Sequence, residues 1–159
     1  MKQIFGKSLS DYFNVAKPFV LLIALLGITR LVLSLTGTPN STTKWFSMTA
    51  ATWLGVLYYS VRIHVTRFGS YKQLLAVLAL INLPAQAIAI VGIAIAIFSG
   101  HNNVFSAPEY GGDANPWLHL GAHVVFGTTL GTLIPWLFGC AILAVTRRAT
   151  RETPAVNAR

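Results

Sequence analysis

Four long apolar stretches, roughly residues 18–35, 45–63, 74–98 and 117–145, constrain this chain more than anything else in it. A bilayer's hydrocarbon core is about 30 Å thick, so a spanning helix needs about 20 mostly apolar residues. The first two stretches match that length. The last two exceed it and must tilt, kink or project beyond the core. Backbone groups in hydrocarbon have to pair within their own segment, which selects helices, and period-two alternation that would mark a barrel is missing. The sequence therefore predicts an all-α integral membrane protein. It is a four-transmembrane-helix bundle over residues 18–148, with an N-terminal interfacial segment (1–17) and a short tail (149–159).

Composition agrees. Only 10% of the residues are charged, against about 25% in soluble domains, too few to coat a water-facing surface. The net charge of +8 does not point to nucleic acid. The basic residues flank apolar spans, with no basic stripe interleaved with aromatics, and anionic lipid head groups attract such flanking charge. In a four-span arrangement Lys2, Lys7, Lys17, Arg62, Arg67, Lys72, Arg147, Arg148, Arg151 and Arg159 fall on one side. Arg30 and Lys44 fall on the other, so ten of the twelve basic residues share one side. Lys and Arg accumulate on the cytoplasmic side. Both termini are expected there, in a bacterial cytoplasmic membrane, with Lys17, Arg67, Lys72, Arg147, Arg148 and Arg151 touching anionic lipid. The connections near 37–44 and 100–116 then face outward.

Within 1–17, Phe5, Leu9, Tyr12, Phe13 and Ala16 recur at near-helical spacing with Lys2, Lys7 and Asp11 between them. That pattern reads as a short amphipathic helix in the interface ahead of the first span. The first apolar run lacks a small-residue cleavage site and reads as a retained anchor. The tail holds Pro154 and is polar, as frayed termini are. Asn40-Ser41-Thr42 matches a glycosylation acceptor, but beside Gly37 and Pro39 it reads as a turn. The single cysteine, Cys140, lies in the last span and reads as a small apolar packing residue.

Ionisable and amide groups inside spans are costly, so each calls for an account. Arg30 lies about five residues, or roughly 7 Å, before the outer end of its span. Either it snorkels to the outer head groups, or it points inward to an acid or bound anion. Asn82 and Gln86 flank Pro84 and share a helix face. They read as amides bonding to neighbours of a kinked helix, or as a polar pocket for a substrate, a quinone or an ion. No carboxylate lies in a span, which argues against a proton-coupled pump. Gly127 and Gly131 form a Gly-x-x-x-Gly face that lets another helix approach, with Thr128, Thr129 and Thr132 adding hydrogen bonds.

His119 and His123 are four apart on one helix face and can share a metal. Leu120, Gly121 and Ala122 follow His119, so the Glu of a His-Glu-x-x-His zinc protease is missing. Further ligands would come from His101, Glu109 or Asp113, types that suit zinc or a harder metal. Haem between two helices is excluded, because His64 lies about a membrane thickness from His119. A tetrapyrrole on His123 alone stays open. Taking Trp117 and Trp136 as two aromatic belts places both histidines within the membrane. Seating the inner boundary at Arg147 places them at or above the outer interface, and this register is favoured because 138–145 is too apolar for water. The long loop 100–116, which has no Lys or Arg, would roof a polar patch with His119, His123 and Arg30.

Three functions follow. The favoured one is a non-catalytic subunit or partner-binding protein of a larger membrane complex, with other membrane subunits or further copies of itself as partners. The alternatives are a metal-, haem- or pigment-binding redox subunit or small membrane enzyme using His119 and His123, and a small oligomeric transporter or channel using Asn82, Gln86 and Arg30.

Overall fold

The first helix begins well before the first apolar stretch, because Ser8 and Asp11 form a capping box. Asp11 N donates to Ser8 Oγ at 3.1 Å, and Ser8 N donates to Asp11 Oδ2 at 2.9 Å. Two otherwise orphaned donors are satisfied, and α1 runs unbroken over Leu9–Leu35 with Pro18 inside it. In this computed structural model residues 3–110, 112 and 115–152 are described. The separate helix expected over 1–17 is therefore corrected. Its second half is the start of α1, which opens at the Ser8–Asp11 cap and continues through Pro18 without a break. Its first half is a tight hairpin, β1 (Gln3–Ile4) against β2 (Lys7–Ser8). Phe5 and Gly6, at φ 50° and 82°, supply the two left-handed residues of a primed hairpin turn. Tyr12 Oη donates to Ile4 O at 2.9 Å and Gln73 Nε2 to Phe5 O at 2.7 Å, which ties the hairpin to two helices.

After a short turn of helix, α2 (Asn40–Thr43), come α3 (Met48–Val65) and α4 (Tyr71–Ser99). A second capping box, Ser70 with Gln73, opens α4, and left-handed Gly100 ends it. The last helical stretch comprises α5 (Pro116–Ala122), one π-helical turn (His123–Gly127) and α6 (Thr128–Glu152). Helix α4 is the hub and packs against α1, α3 and α6. The core is a continuous apolar cluster that includes Ile23, Val56, Tyr59, Leu74, Val77, Leu78, Ile81, Ile93 and Leu143. Tyr59 Oη reaches across to Val15 O at 2.8 Å, and Trp136 Nε1 donates to Tyr71 O at 2.8 Å.

Three helical stretches are long and apolar enough to cross a membrane: Leu9–Leu35, Tyr71–Ser99 and Pro116–Arg151. Their outward faces are apolar, with Leu21, Leu25, Ile28, Val91, Leu133, Leu137 and Phe138 all exposed, consistent with contact to lipid tails. Helix α3 carries more polar side chains, Thr49, Thr52, Ser60, Arg62 and His64 among them. The end of the bundle holding the hairpin gathers basic groups: Lys7 sits over Phe68, Arg147 over Tyr71, and His64 Nε2 lies 2.8 Å from Thr150 Oγ1.

The connection after α4 does not lie out in water as a loose roof. Asn103, Val104, Phe105, Ser106 and Ala107 are all buried. Asn103 Nδ2 donates to Gly92 O at 2.6 Å, its Oδ1 accepts from Phe105 N, and Val104 N donates to Ser34 Oγ at 2.8 Å. A Cβ on Gly92 would stand 2.6 Å from Phe105 Cδ2, so glycine there is what lets the aromatic ring seat against α4. The segment is a plug wedged between α1 and α4.

Candidate functional site

Below the plug, α1, α3, α4 and α6 leave a cavity of about 420 Å³. That is within the usual range for small-molecule sites. Arg30, Asn82, Gln86 and His123 line it, and so do Met48, Thr52, Trp53, Phe105, Gly131 and Ile134. Trp53 on α3 and Leu130 and Ile134 on α6 line it and are also exposed. The cavity thus opens sideways between these two helices, on the apolar surface. No Asp or Glu is among the described lining residues. Arg30 turns toward the cavity, where its guanidinium lies 5.7 Å from the centre of the Phe105 ring.

The amides of α4 are not loose. Asn82 is 5% exposed, and its Nδ2 reaches Gly127 O and Thr132 Oγ1, each at 3.0 Å. Gln86 Nε2 donates to Asn82 Oδ1 at 3.1 Å, and Gln86 Oε1 lies 2.9 Å from His123 Nδ1. The His119 ring stacks on His123 at 5.0 Å between centres, and His119 Nδ1 is buried with no hydrogen-bond partner among the described residues. The glycines predicted as a helix-packing face make room for these amides. A Cβ on Gly127 would stand 2.2 Å from Gln86 Oε1, and one on Gly131 would stand 3.2 Å from Asn82 Nδ2. A π turn carries one extra residue and often marks functional sites. Here it covers His123–Gly127, the residues that meet Gln86 and Asn82.

The depth assigned to the histidines needs correction. Gln86 lies about midway along α4, and His123 is bonded to it, so His123 sits level with the middle of the bundle and not at its outer rim. The described members of the metal set proposed from sequence, His101, Glu109, His119 and His123, do not come together as a site. Among the described residues no three His, Cys, Asp or Glu side chains are placed to hold an ion. Glu109 pairs instead with Asn40 Nδ2, and that amide holds its carboxyl below the usual carboxylate range. His101 is exposed at the start of the loop, and Asp113 lies outside the described residues, as do Lys2, Pro154 and Arg159.

Sequence reasoning found the four polar groups but not their walls. Phe105, Trp53 and Thr52 were missed. The available signal was the apolar run Val104–Phe105 inside an otherwise polar loop, beside two turn-forming side chains, Asn103 and Ser106. The chain matches no protein-family model, no curated protein and no solved structure. What can be said of its class rests on its own residues: it is a helical protein with three helices able to cross a membrane and a polar-based cavity among them.

Proposed function

We propose that this is a non-catalytic membrane subunit, a binding protein that holds a small molecule in the cavity beneath the plug and hands it to, or senses it for, a larger membrane assembly. The observation that carries this reading is the convergence of Arg30, Asn82, Gln86 and His123, from three helical stretches, on one cavity with an apolar mouth. Two neutral amides and a permanently charged guanidinium bind and orient; only His123 can carry a proton near neutral pH, and no carboxylate or thiol is among the described residues that line the cavity. Purification from the native membrane in mild detergent tests it. Native mass spectrometry is expected to find a bound small molecule or a stable partner subunit, and an Arg30→Leu, Gln86→Leu double variant should lose the small molecule. A wild-type chain that stays empty and alone under those conditions overturns the proposal.

The arrangement in the membrane belongs to the same proposal. Helix α3 has 18 residues, about 27 Å at helical rise, enough to serve as a fourth span. The clustered basic end then faces the cytoplasm with both termini, and Arg30 and Lys44 face outward. In a Cys140→Ala background, Glu109→Cys should react with a membrane-impermeant maleimide in sealed cells, and Arg151→Cys should react only after lysis. Equal labelling of both would refute this topology.

One observation favours a second reading, a single-histidine cofactor site. Ligating histidines nearly always donate their other ring N–H to a fixed acceptor, and Gln86 Oε1 stands in that place for His123. Elemental analysis and the visible spectrum of the same preparation decide it.

A further inference from the structure

The hydrogen-bond chain under the cavity has a forced direction. Gly127 O is a backbone carbonyl and can only accept. Thr132 Oγ1 gives its one proton to Thr128 O at 2.8 Å, so toward Asn82 it too accepts. The Asn82 atom facing both must be the NH₂, and its oxygen must therefore face Gln86. That oxygen accepts from Gln86 Nε2, which turns Gln86 Oε1 toward His123. An amide oxygen cannot donate, so His123 Nδ1 must carry the proton. A backbone carbonyl at the end of the π turn, that of Gly127, thus sets the tautomer of an imidazole three hydrogen bonds away. In the neutral ring the lone pair is then on Nε2. His123 brings an acceptor to the cavity, and Arg30 brings a fork of donors. Trp53, Met48, Phe105 and Ile134 supply apolar walls, and two of these, Trp53 on α3 and Ile134 on α6, reach the apolar outer surface.

We propose that the cavity binds a quinol-type ligand: an apolar ring that gives a hydroxyl proton to His123 Nε2 and offers a second oxygen to Arg30, entering from the bilayer between α3 and α6. This rests on the cavity being a binding site and specifies its ligand class. A carboxylate amphiphile satisfies Arg30 but has no proton for His123. A quinone has two acceptors and no donor. Gln86 is a positioning residue here; it acts on the ligand through the imidazole.

The test uses the purified full-length chain in detergent, kept anaerobic at a pH where imidazole is neutral, with duroquinol and duroquinone as probes. Calorimetry is expected to give at least tenfold tighter binding of duroquinol. Nitrogen-15 spectra of histidine-labelled protein should show His123 protonated on Nδ1. Gln86→Leu should release that tautomer and cost about tenfold in duroquinol affinity, with duroquinone little changed. The wild-type measurements need no variant, so a poorly folding Gln86→Leu leaves the test intact. Equal affinity for the two probes, or an Nε2–H tautomer in the wild type, overturns the ligand class while leaving a binding cavity standing. If neither probe binds and the native preparation carries another molecule, the ligand class again fails alone. If neither binds and the native chain is empty, both readings fall.

Discussion

Gly127→Val is expected to destabilise the protein by about 2–4 kcal/mol, whereas Gly121→Val, six residues earlier in the same helical stretch, should shift stability by less than about 1 kcal/mol. The two substitutions share the β-branched penalty in a helix, so the difference reports surroundings. Nothing lies within 4 Å of a Cβ at Gly121, but at Gly127 the Cβ would stand 2.2 Å from Gln86 Oε1 and 3.4 Å from His123 Nδ1. Overpacking typically costs 1–3 kcal/mol. The displaced amide also forfeits bonds to His123 and Asn82, and in membranes such bonds average about 0.6 kcal/mol each. Packing is therefore the larger part. Alanine separates the two effects: Gln86 has a flexible end and can swing away from a single methyl. Gly127→Ala should lose the His123 contact while keeping most of the stability, since alanine regains up to about 1 kcal/mol of helix propensity. Unfolding midpoints in detergent, with the His123 ring resonances, measure both. Equal effects of valine at Gly121 and Gly127 would show that the contact between α4 and the π turn is not packed as described.

Much of the helical architecture was legible because hydropathy and length act locally. The cores of α1 and α4 and the apolar run of the last helical stretch could be placed by counting apolar residues against bilayer thickness. Where α1 begins could not, because a two-residue capping box, Ser8 with Asp11, competes with the more visible Pro18. The pairing of Asn82 with Gln86 on one face was readable from their spacing of four. Their alignment with His123 was not, because it depends on how far α6 slides along α4, and the π turn shifts that register. Setting the inner boundary from Arg147 assumed a straight, regular helix and put the histidines too high. The plug was hidden for a different reason: loops are expected at the surface, and only the burial of Val104 and Phe105 reveals that this one turns inward. Side chains that meet across helices leave no periodic trace in any one of them.

Phe105→Ala is expected to cost about 2–4 kcal/mol, and Phe105→Leu about 1 kcal/mol. The ring is 8% exposed, seats against Gly92 and lies beneath the Arg30 guanidinium. Truncating a buried phenylalanine to alanine removes 3–5 kcal/mol in soluble cores; the lower estimate here allows for partial refilling by neighbouring side chains. Leucine restores most of the volume but not the aromatic face, so what it fails to rescue measures the cation–π contact, worth about 0.5–2 kcal/mol. The consequence reaches beyond stability, because the same ring is part of the cavity wall. With alanine, Asn103 and Val104 still tether the plug to Gly92 and Ser34, so the segment should stay docked while the space beneath it enlarges. A ligand held there should then dissociate faster, while its association, which follows the path between α3 and α6, changes little. Stopped-flow binding of duroquinol separates the two rates. An association faster by a factor similar to that of dissociation would instead place the ligand's route through the plug and not through the gap between α3 and α6.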